Sequence, residues 1–158
     1  MCGLLYVQQS ENFQRQDQLI FDKALELLAY RGPDNQSSFL VENKYFGHAR
    51  LAIQDITKGS NQPIDDEYST LLYNGEIYNF KNFPGDFASD TLFLKNYLKQ
   101  EQDFACLDGM FAVLEVIKTS NHVTVYRDFY GEKPLYYFQD KDILIISSTI
   151  KSIIHILC

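Results

Sequence analysis

The hydrophobic and polar positions of this chain fall in short blocks and alternations, which are typical of β-strands that end at polar turns. The predicted strands span residues 3–7, 37–42, 45–53, 70–73, 110–118, 122–127, 134–138 and 143–148. The strands at 37–42 and 45–53 are predicted to form a hairpin around a polar turn. The strand at 70–73 is predicted to end abruptly at the pair Asn74-Gly75.

Three segments instead have the apolar spacing of a helix. The first covers residues 17–30 with Asp17 as its N-cap, and its apolar face is Leu19, Ile20, Ala24, Leu27 and Leu28. The second covers residues 90–100 behind the cap Ser89, and its apolar stripe is Phe93, Leu94, Tyr97 and Leu98. A short third helix is predicted over residues 150–156, whereas residues 80–88 are too irregular for a helix.

Many strands with few helices predict an α+β fold, in which stacked antiparallel β-sheets are flanked by helices. The length of 158 residues and a hydrophobic content of 46% indicate a single domain, residues 1–158, with a substantial core. The chain has 11 tyrosines and 12 phenylalanines, and most fall at predicted core positions. Examples are Phe111, Tyr126, Tyr136 and Tyr137.

Charge and composition exclude several classes of function. Lys and Arg total 14 against 21 Asp and Glu, and this net charge of −7 disfavours a nucleic-acid partner. No apolar run approaches the roughly 20 residues that span a bilayer, and the N-terminus does not resemble a secretory signal. Three cysteines without CxxC spacing and three scattered histidines predict neither a disulfide scaffold nor a metal site. We therefore expect a cytoplasmic domain with no membrane, metal or cofactor.

Cys2 is the most informative single residue, because removal of Met1 would make it the N-terminal residue. An N-terminal cysteine carries a thiol and an α-amino group on one carbon, and the amine can act as the general base for the thiol. We expect the mature chain to begin at Cys2. One alternative is that position 2 has no special role. Another is that His48 pairs with a cysteine in a protease-like dyad, for which the sequence offers no local support.

Other polar residues could complete a site for an amino acid. A turn at Asn74-Gly75 could direct the Asn amide and the Gly N–H to one point, as an oxyanion hole requires, although ordinary β-turns use the same pair. Arg50 could bind an α-carboxylate, and Glu76 and Asp90 could bind an α-ammonium group. Each of these charges alone is more often a solvated surface residue.

Together these features resemble the N-terminal glutamine amidotransferase domain of asparagine synthetase, a class II, N-terminal nucleophile hydrolase. The matching segments are Met1-Cys2-Gly3, Arg31-Gly32-Pro33-Asp34, Gly47-His48-Ala49-Arg50-Leu51-Ala52-Ile53, Asn61-Gln62-Pro63-Ile64, Asn74-Gly75-Glu76-Ile77-Tyr78-Asn79, Ser89-Asp90-Thr91, Leu107-Asp108-Gly109-Met110-Phe111-Ala112, and Arg127-Asp128 through Gly131 to Lys133-Pro134-Leu135-Tyr136-Tyr137. They run in family order over nearly the whole chain. The resemblance implies four layers, helix–sheet–sheet–helix, and Glu76 favours the asparagine synthetase branch.

The resemblance also implies a role for each candidate residue. Cys2 would be the nucleophile, and Asn74 and Gly75 would form the oxyanion hole. The residues that would bind L-glutamine are Arg50 through its guanidinium, Glu76 and Asp90 through their carboxylates, and the segment from Leu51 to Ile53 through its backbone. Glutamine would be hydrolysed through a γ-glutamyl thioester to glutamate and ammonia, without a cofactor.

Departures from the family pattern concern what receives the ammonia. The segment 80–88 is shorter than is usual, and Leu92 and Thr149 stand where the family has acidic residues. No Ser-Gly-Gly-x-Asp-Ser loop for ATP is present and nothing follows Cys158. We therefore expect a separate synthetase or ligase subunit, of asparagine synthetase type, to accept the ammonia in trans. The alternative is a non-catalytic module that senses glutamine or docks to a partner.

Overall fold

The computed structural model describes residues 1–53, 55–100 and 103–158. Its strands are β1 (Gly3–Gln9), β2 (Asn35–Val41), β3 (Lys44–Arg50), β4 (Ile64–Asp65), β5 (Ser69–Ile77), β6 (Gly109–Ile117), β7 (His122–Arg127), β8 (Tyr136–Gln139) and β9 (Ile143–Ser147). Its α-helices are α1 (Arg15–Glu26), α2 (Asp90–Leu98) and α3 (Ile150–Leu157). The chain divides into two compact units, one made of Met1–Leu51 with Pro134–Cys158 and the other of Ala52–Lys133.

The first unit is built on an antiparallel sheet with the strand order β2-β3-β1-β9-β8. The central strand β1 pairs Leu5 with Gly47 of β3 on one side and with Ser147 of β9 on the other. Helices α1 and α3 pack on one face of this sheet. The core there consists of Leu5, Val7, Phe21, Ala24, Leu25, Leu28, Tyr45, Ala49, Ile145 and Ile153. Residues on both faces of β1 and β3 are buried, so the buried first strand that the sequence predicts is confirmed.

The second unit contains an antiparallel sheet with the order β4-β5-β6-β7, and α2 packs on it. Odd-numbered residues of β5 and β6 face α2, as the alternation of a strand requires. The core there consists of Leu71, Tyr73, Ile77, Phe80, Phe93, Leu94, Tyr97, Leu98, Phe111 and Val113. The apolar stripe and the Ser89 cap predicted for the second helix are confirmed, since Ser89 Oγ accepts a hydrogen bond from Leu92 N.

The first helix differs from its prediction at both ends and on its face, and its last residue is Glu26 rather than Tyr30. It begins at Arg15 behind Gln14, and Asp17 lies inside its first turn, where its carboxylate accepts a hydrogen bond from Gln14 N at 2.8 Å. Asp17 is therefore the acidic partner of a capping box, and its prediction as N-cap is wrong. Leu19, predicted to face the core, is 58% exposed, and Phe21 is buried instead.

Two further predictions are wrong in the strands. The pair Asn74-Gly75 does not end its strand, because β5 continues to Ile77 and stays paired with β6 along its whole length. Tyr136 and Tyr137 are 41% and 74% exposed, because β8 is an edge strand that pairs only with β9. The remaining predicted strands and the last helix are present, and their ends differ from the predicted ones by at most three residues.

Two antiparallel sheets, each with helices packed on it, confirm the predicted α+β class. None of the helices in the three described ranges is long and apolar enough to cross a membrane. Among the same residues, no three His, Cys, Asp or Glu side chains lie close enough together to hold a metal ion.

Candidate active site

The predicted site residues fall into two groups, one in each compact unit, and each group is described here within its own unit. The group in the first unit is Cys2, Arg50 and Leu51. The group in the second unit is Ile53, Asn74, Gly75, Glu76 and Asp90.

Cys2 lies immediately before β1, and its side chain is half-buried against the residue that follows β3. Leu51 N donates a hydrogen bond to Cys2 Sγ at 3.4 Å, and the thiol is 3.7 Å from the Leu51 carbonyl oxygen. An N–H group directed at sulfur favours the thiolate, which is the reactive form of cysteine. The structure thus brings Cys2 and Leu51 together.

The segment that follows α1 also contacts Cys2, through its backbone. Arg31 Nε donates a hydrogen bond to the Cys2 carbonyl oxygen at 2.9 Å. Next to it, a Cβ on Gly32 would lie 2.3 Å from the Ala49 carbonyl oxygen, so only glycine allows this segment to pass the end of β3. This role of Arg31 was not predicted from the sequence, although the Arg-Gly-Pro-Asp segment that contains it matches the family pattern.

Arg50 is the last residue of β3 and is buried, with 6% of its surface exposed. Gly3 of β1 pairs with Ala49 of β3, so the same register continued by one residue places Cys2 across from Arg50. A buried guanidinium suits a carboxylate, which it can bind through two parallel hydrogen bonds. Arg50 thus belongs to the same end of the β1–β3 ladder as Cys2.

Asn74 is the residue of the second group whose surroundings are the most unusual. Even-numbered residues of β5 lie on the face of the sheet away from α2, and Asn74 there is 1% exposed. Neither its Nδ2 nor its Oδ1 has a hydrogen-bond partner among the residues that the structure describes. A buried amide without partners costs about 1–3 kcal/mol, which makes this side chain a candidate for binding a ligand.

Gly75 presents its backbone N–H at the edge of the sheet. Its partner on β6, Phe111, both donates to the Asp128 carboxylate at 3.1 Å and accepts from Asp128 N at 2.8 Å. Both backbone groups of Phe111 therefore point towards β7, and those of Gly75 point to the opposite side. On that side β4 covers only Thr70 and Leu71. The Gly75 N–H thus lies at an uncovered edge, beside the Asn74 amide in sequence.

Side chains occupy the same edge of β5 on either side of Gly75. Tyr73 N donates to Gln62 Oε1 at 2.5 Å, and Ile77 N donates to Asp90 Oδ2 at 3.1 Å. The edge N–H groups that flank Gly75 therefore have acceptors within the second unit. Gln62 and Tyr73 were not predicted from the sequence as members of the site.

Asp90 and Glu76 differ in how they are held. Asp90 is the first residue of α2, is 5% exposed, and also accepts a hydrogen bond from the Tyr73 hydroxyl at 2.7 Å. Burial raises the pKa of Asp90, and hydrogen bonds from Tyr73, Ile77 and Thr91 oppose that rise.

Glu76 is half-buried on the same face as Asn74, and its carboxylate makes no hydrogen bond or ion pair with any described residue. Ile53 is 60% exposed.

A family profile described as "Glutamine amidotransferase domain" matches residues 1–157. The chain belongs to this family. The amidotransferase domain is of class II, in which the nucleophile is an N-terminal cysteine, and Cys2 stands at that position.

Curated relatives place the amidotransferase domain with the asparagine synthetases. It is 30% identical to asparagine synthetase [glutamine-hydrolyzing] 3 of Bacillus subtilis over 98% of this chain. It is 35% identical to asparagine synthetase [glutamine-hydrolyzing] of Gallus gallus over 82% of this chain. The match covers 27% and 26% of those two proteins, so the chain spans about a quarter of the length of these relatives.

A solved structure shares the fold of the amidotransferase domain. Glutamine phosphoribosylpyrophosphate amidotransferase from B. subtilis, complexed with ADP and GMP, superposes with a TM-score of 0.72 at 18% identity. The superposition covers 98% of this chain and 43% of that structure. This likeness confirms the predicted N-terminal nucleophile hydrolase fold.

Proposed function

We propose that this chain hydrolyses L-glutamine to glutamate and ammonia, with Cys2 as the nucleophile. The observation that carries the proposal is the buried Asn74 amide, which has no hydrogen-bond partner among the described residues of a glutamine amidotransferase domain. An oxyanion that forms next to this amide would supply the missing acceptor. Because the Asn74 side chain is closed to water in this conformation, its surroundings must open for glutamine to reach it.

The proposed reaction begins after removal of Met1, when the free α-amine of Cys2 accepts the thiol proton. The thiolate attacks the side-chain amide carbon of glutamine, and the carbonyl electron pair moves to oxygen. Asn74 Nδ2 and Gly75 N–H donate hydrogen bonds to this oxyanion. The amine then returns its proton to the amide nitrogen, the C–N bond breaks, and ammonia leaves. Water attacks the resulting thioester, which releases glutamate and restores the thiol.

The remaining residues bind the substrate in this proposal. Arg50 binds the α-carboxylate of glutamine, and Glu76 and Asp90 bind its α-ammonium group. The backbone of Leu51 and Ile53 lines the pocket. The N–H of Leu51, 3.4 Å from Cys2 Sγ, supports the nucleophile assignment because it stabilises negative charge on sulfur.

Covalent labelling tests this proposal without depending on turnover. The purified protein is incubated with a diazoketone analogue of glutamine, and its intact mass and peptide masses are measured. We expect a chain that lacks Met1 and carries one adduct on Cys2, and excess glutamine should prevent the adduct. The matched control is Cys106→Ser, which removes an exposed cysteine and should label like the wild type. Retained Met1, or an adduct that glutamine does not block, contradicts the proposal.

We also propose that the ammonia passes to an asparagine synthetase-type ligase on a separate polypeptide. The similarity to asparagine synthetases supports a ligase of that type as the acceptor, and this domain matches about a quarter of the length of those proteins. An antibody against this domain, used on an extract of the source cells, should detect a polypeptide of about 158 residues. A band about four times longer would mean that the acceptor is fused, which contradicts delivery in trans.

A further inference from the structure

We infer that Tyr73 is a positioning residue, whose hydroxyl holds the Asp90 carboxylate where it can bind the α-ammonium group of the substrate. The inference rests on the proposed function and adds a residue to it. Tyr73 itself does not touch the substrate in this proposal. It acts only through Asp90.

The contacts of Tyr73 fix its hydroxyl in one place. The residue is 2% exposed, and its ring packs in the core of the second unit with Ile77, Phe93 and Leu94. Its backbone N–H is bound to Gln62 Oε1, and its hydroxyl donates to Asp90 Oδ2 at 2.7 Å. A buried tyrosine needs a partner for its hydroxyl, and here that partner is a proposed substrate ligand.

In this proposal Asp90 needs such a donor, because burial raises the pKa of its carboxyl group while binding of an ammonium group requires the ionised form. Only the ionised carboxylate forms an ion pair with an ammonium group, and burial disfavours the ionised form. Tyr73 and Ile77 both donate to Oδ2, which fixes the rotamer of the side chain as well as its charge. Loss of the Tyr73 hydroxyl would leave the same carboxylate with one donor fewer.

The other titratable groups near Asp90 either lie on the opposite face of β5 or have partners of their own. On β5 the other titratable side chain near the site is Glu76, which lies on the opposite face of the strand. On α2 the Lys95 ammonium donates to Ser69 and pairs with Asp66 at 3.3 Å. Before α2, Asp55 accepts from Ser60 Oγ, which is bonded to the Ser89 hydroxyl. Tyr73 Oη donates to the Asp90 carboxylate from outside α2, and its hydroxyl can be removed while the ring stays in the core.

Tyr73→Phe keeps the ring in the core and removes only the hydroxyl. We expect KM for glutamine to rise about tenfold, the usual effect of losing one hydrogen bond to a charged group, and kcat to stay within about twofold. The pKa of Asp90 should also rise, because a donor to its charged form is lost. As pH falls, kcat/KM should therefore decline at a higher pH than in the wild type. A full pH profile of glutamine hydrolysis measures both effects.

The matched control is Tyr97→Phe, in the same core cluster, whose lost hydroxyl donates to the Asp103 carbonyl oxygen instead. It should leave KM and the pH profile unchanged. In an Asp90→Asn background, Tyr73→Phe should have no further effect on the dissociation constant of glutamine, measured on Cys2→Ala protein. If Tyr73→Phe changed the dissociation constant of glutamine equally in the Asp90 and the Asp90→Asn backgrounds, the inference would be wrong. If the wild type fails to hydrolyse glutamine, the proposed function fails instead, and the binding measurement still decides the role of Tyr73.

Discussion

Replacement of Cys2 by serine should lower kcat for glutamine hydrolysis by about a thousandfold or more, because the variant has no thiolate to attack the substrate. A serine hydroxyl is a far weaker nucleophile at neutral pH, and the N–H of Leu51 at 3.4 Å cannot compensate for that. Glutamate release, measured with a coupled dehydrogenase assay, gives kcat directly. Binding of glutamine should persist, because the proposed contacts to its α-carboxylate and α-ammonium groups are untouched.

The control for this experiment is Cys106→Ser, which alters another free cysteine that is exposed. Its kcat should equal that of the wild type. Glutaminase activity that survives in Cys2→Ser at the wild-type rate would show that another group performs the attack. The enzyme assignment of Cys2 would then have to be abandoned.

Asn74→Leu should reduce kcat by about 10²–10³-fold, the usual effect of removing one oxyanion donor. The same change should leave thermal stability unchanged or raise it. Leucine has nearly the shape of asparagine, and it removes a buried amide that has no partner among the described residues. Glutaminase assays measure the expected fall in kcat, and a thermal unfolding curve measures the unchanged or increased stability.

Asn79→Leu serves as the matched substitution, because the Asn79 amide is engaged at both atoms. Its Nδ2 donates to the Cys106 carbonyl oxygen at 3.0 Å, and its Oδ1 accepts from Asp108 N at 3.0 Å. This variant should lose stability and retain kcat. A clear loss of stability in Asn74→Leu, matching that of Asn79→Leu, would show that the Asn74 amide has a structural role.

The parts of the fold that follow from local pattern were predictable from sequence. The stripe of α2 repeats at helical spacing behind Ser89, and both the stripe and the cap are present in the structure. Local pattern was insufficient at Asn74-Gly75, since both residues are poor strand formers and favour turns. The ladder with β6 overrides that preference up to Ile77, and Gly75 is needed because a Cβ there would lie 2.2 Å from the Met110 carbonyl oxygen.

In the site, too, some features could be predicted from the type of residue, whereas others depend on contacts between residues that are distant in sequence. The chemical character of Cys2, Arg50, Glu76 and Asp90 suggested ligands for an amino acid, and their roles stay predictions. The direction of the Gly75 N–H follows from the register of β5 with β6 and from the hydrogen bonds of Phe111 to Asp128. Neither can be predicted from the spacing of residues in the sequence. The hydrogen bond from Tyr73 to Asp90 likewise joins residues 17 positions apart, so no local pattern in the sequence indicates it.

The pairing of β1 has a consequence for how the protein is made. The first strand lies between β3 and β9, so its ladder is complete only after residues 143–147 have left the ribosome. Such a contact between distant parts of the chain has a high closure entropy and forms slowly. Until residues 143–147 have been synthesised, the edge of β1 that pairs with β9 therefore remains unpaired. During that time, after the proposed removal of Met1, the thiol and α-amine of Cys2 would be exposed to oxidants and electrophiles, and a chaperone that covers the nascent chain would protect them.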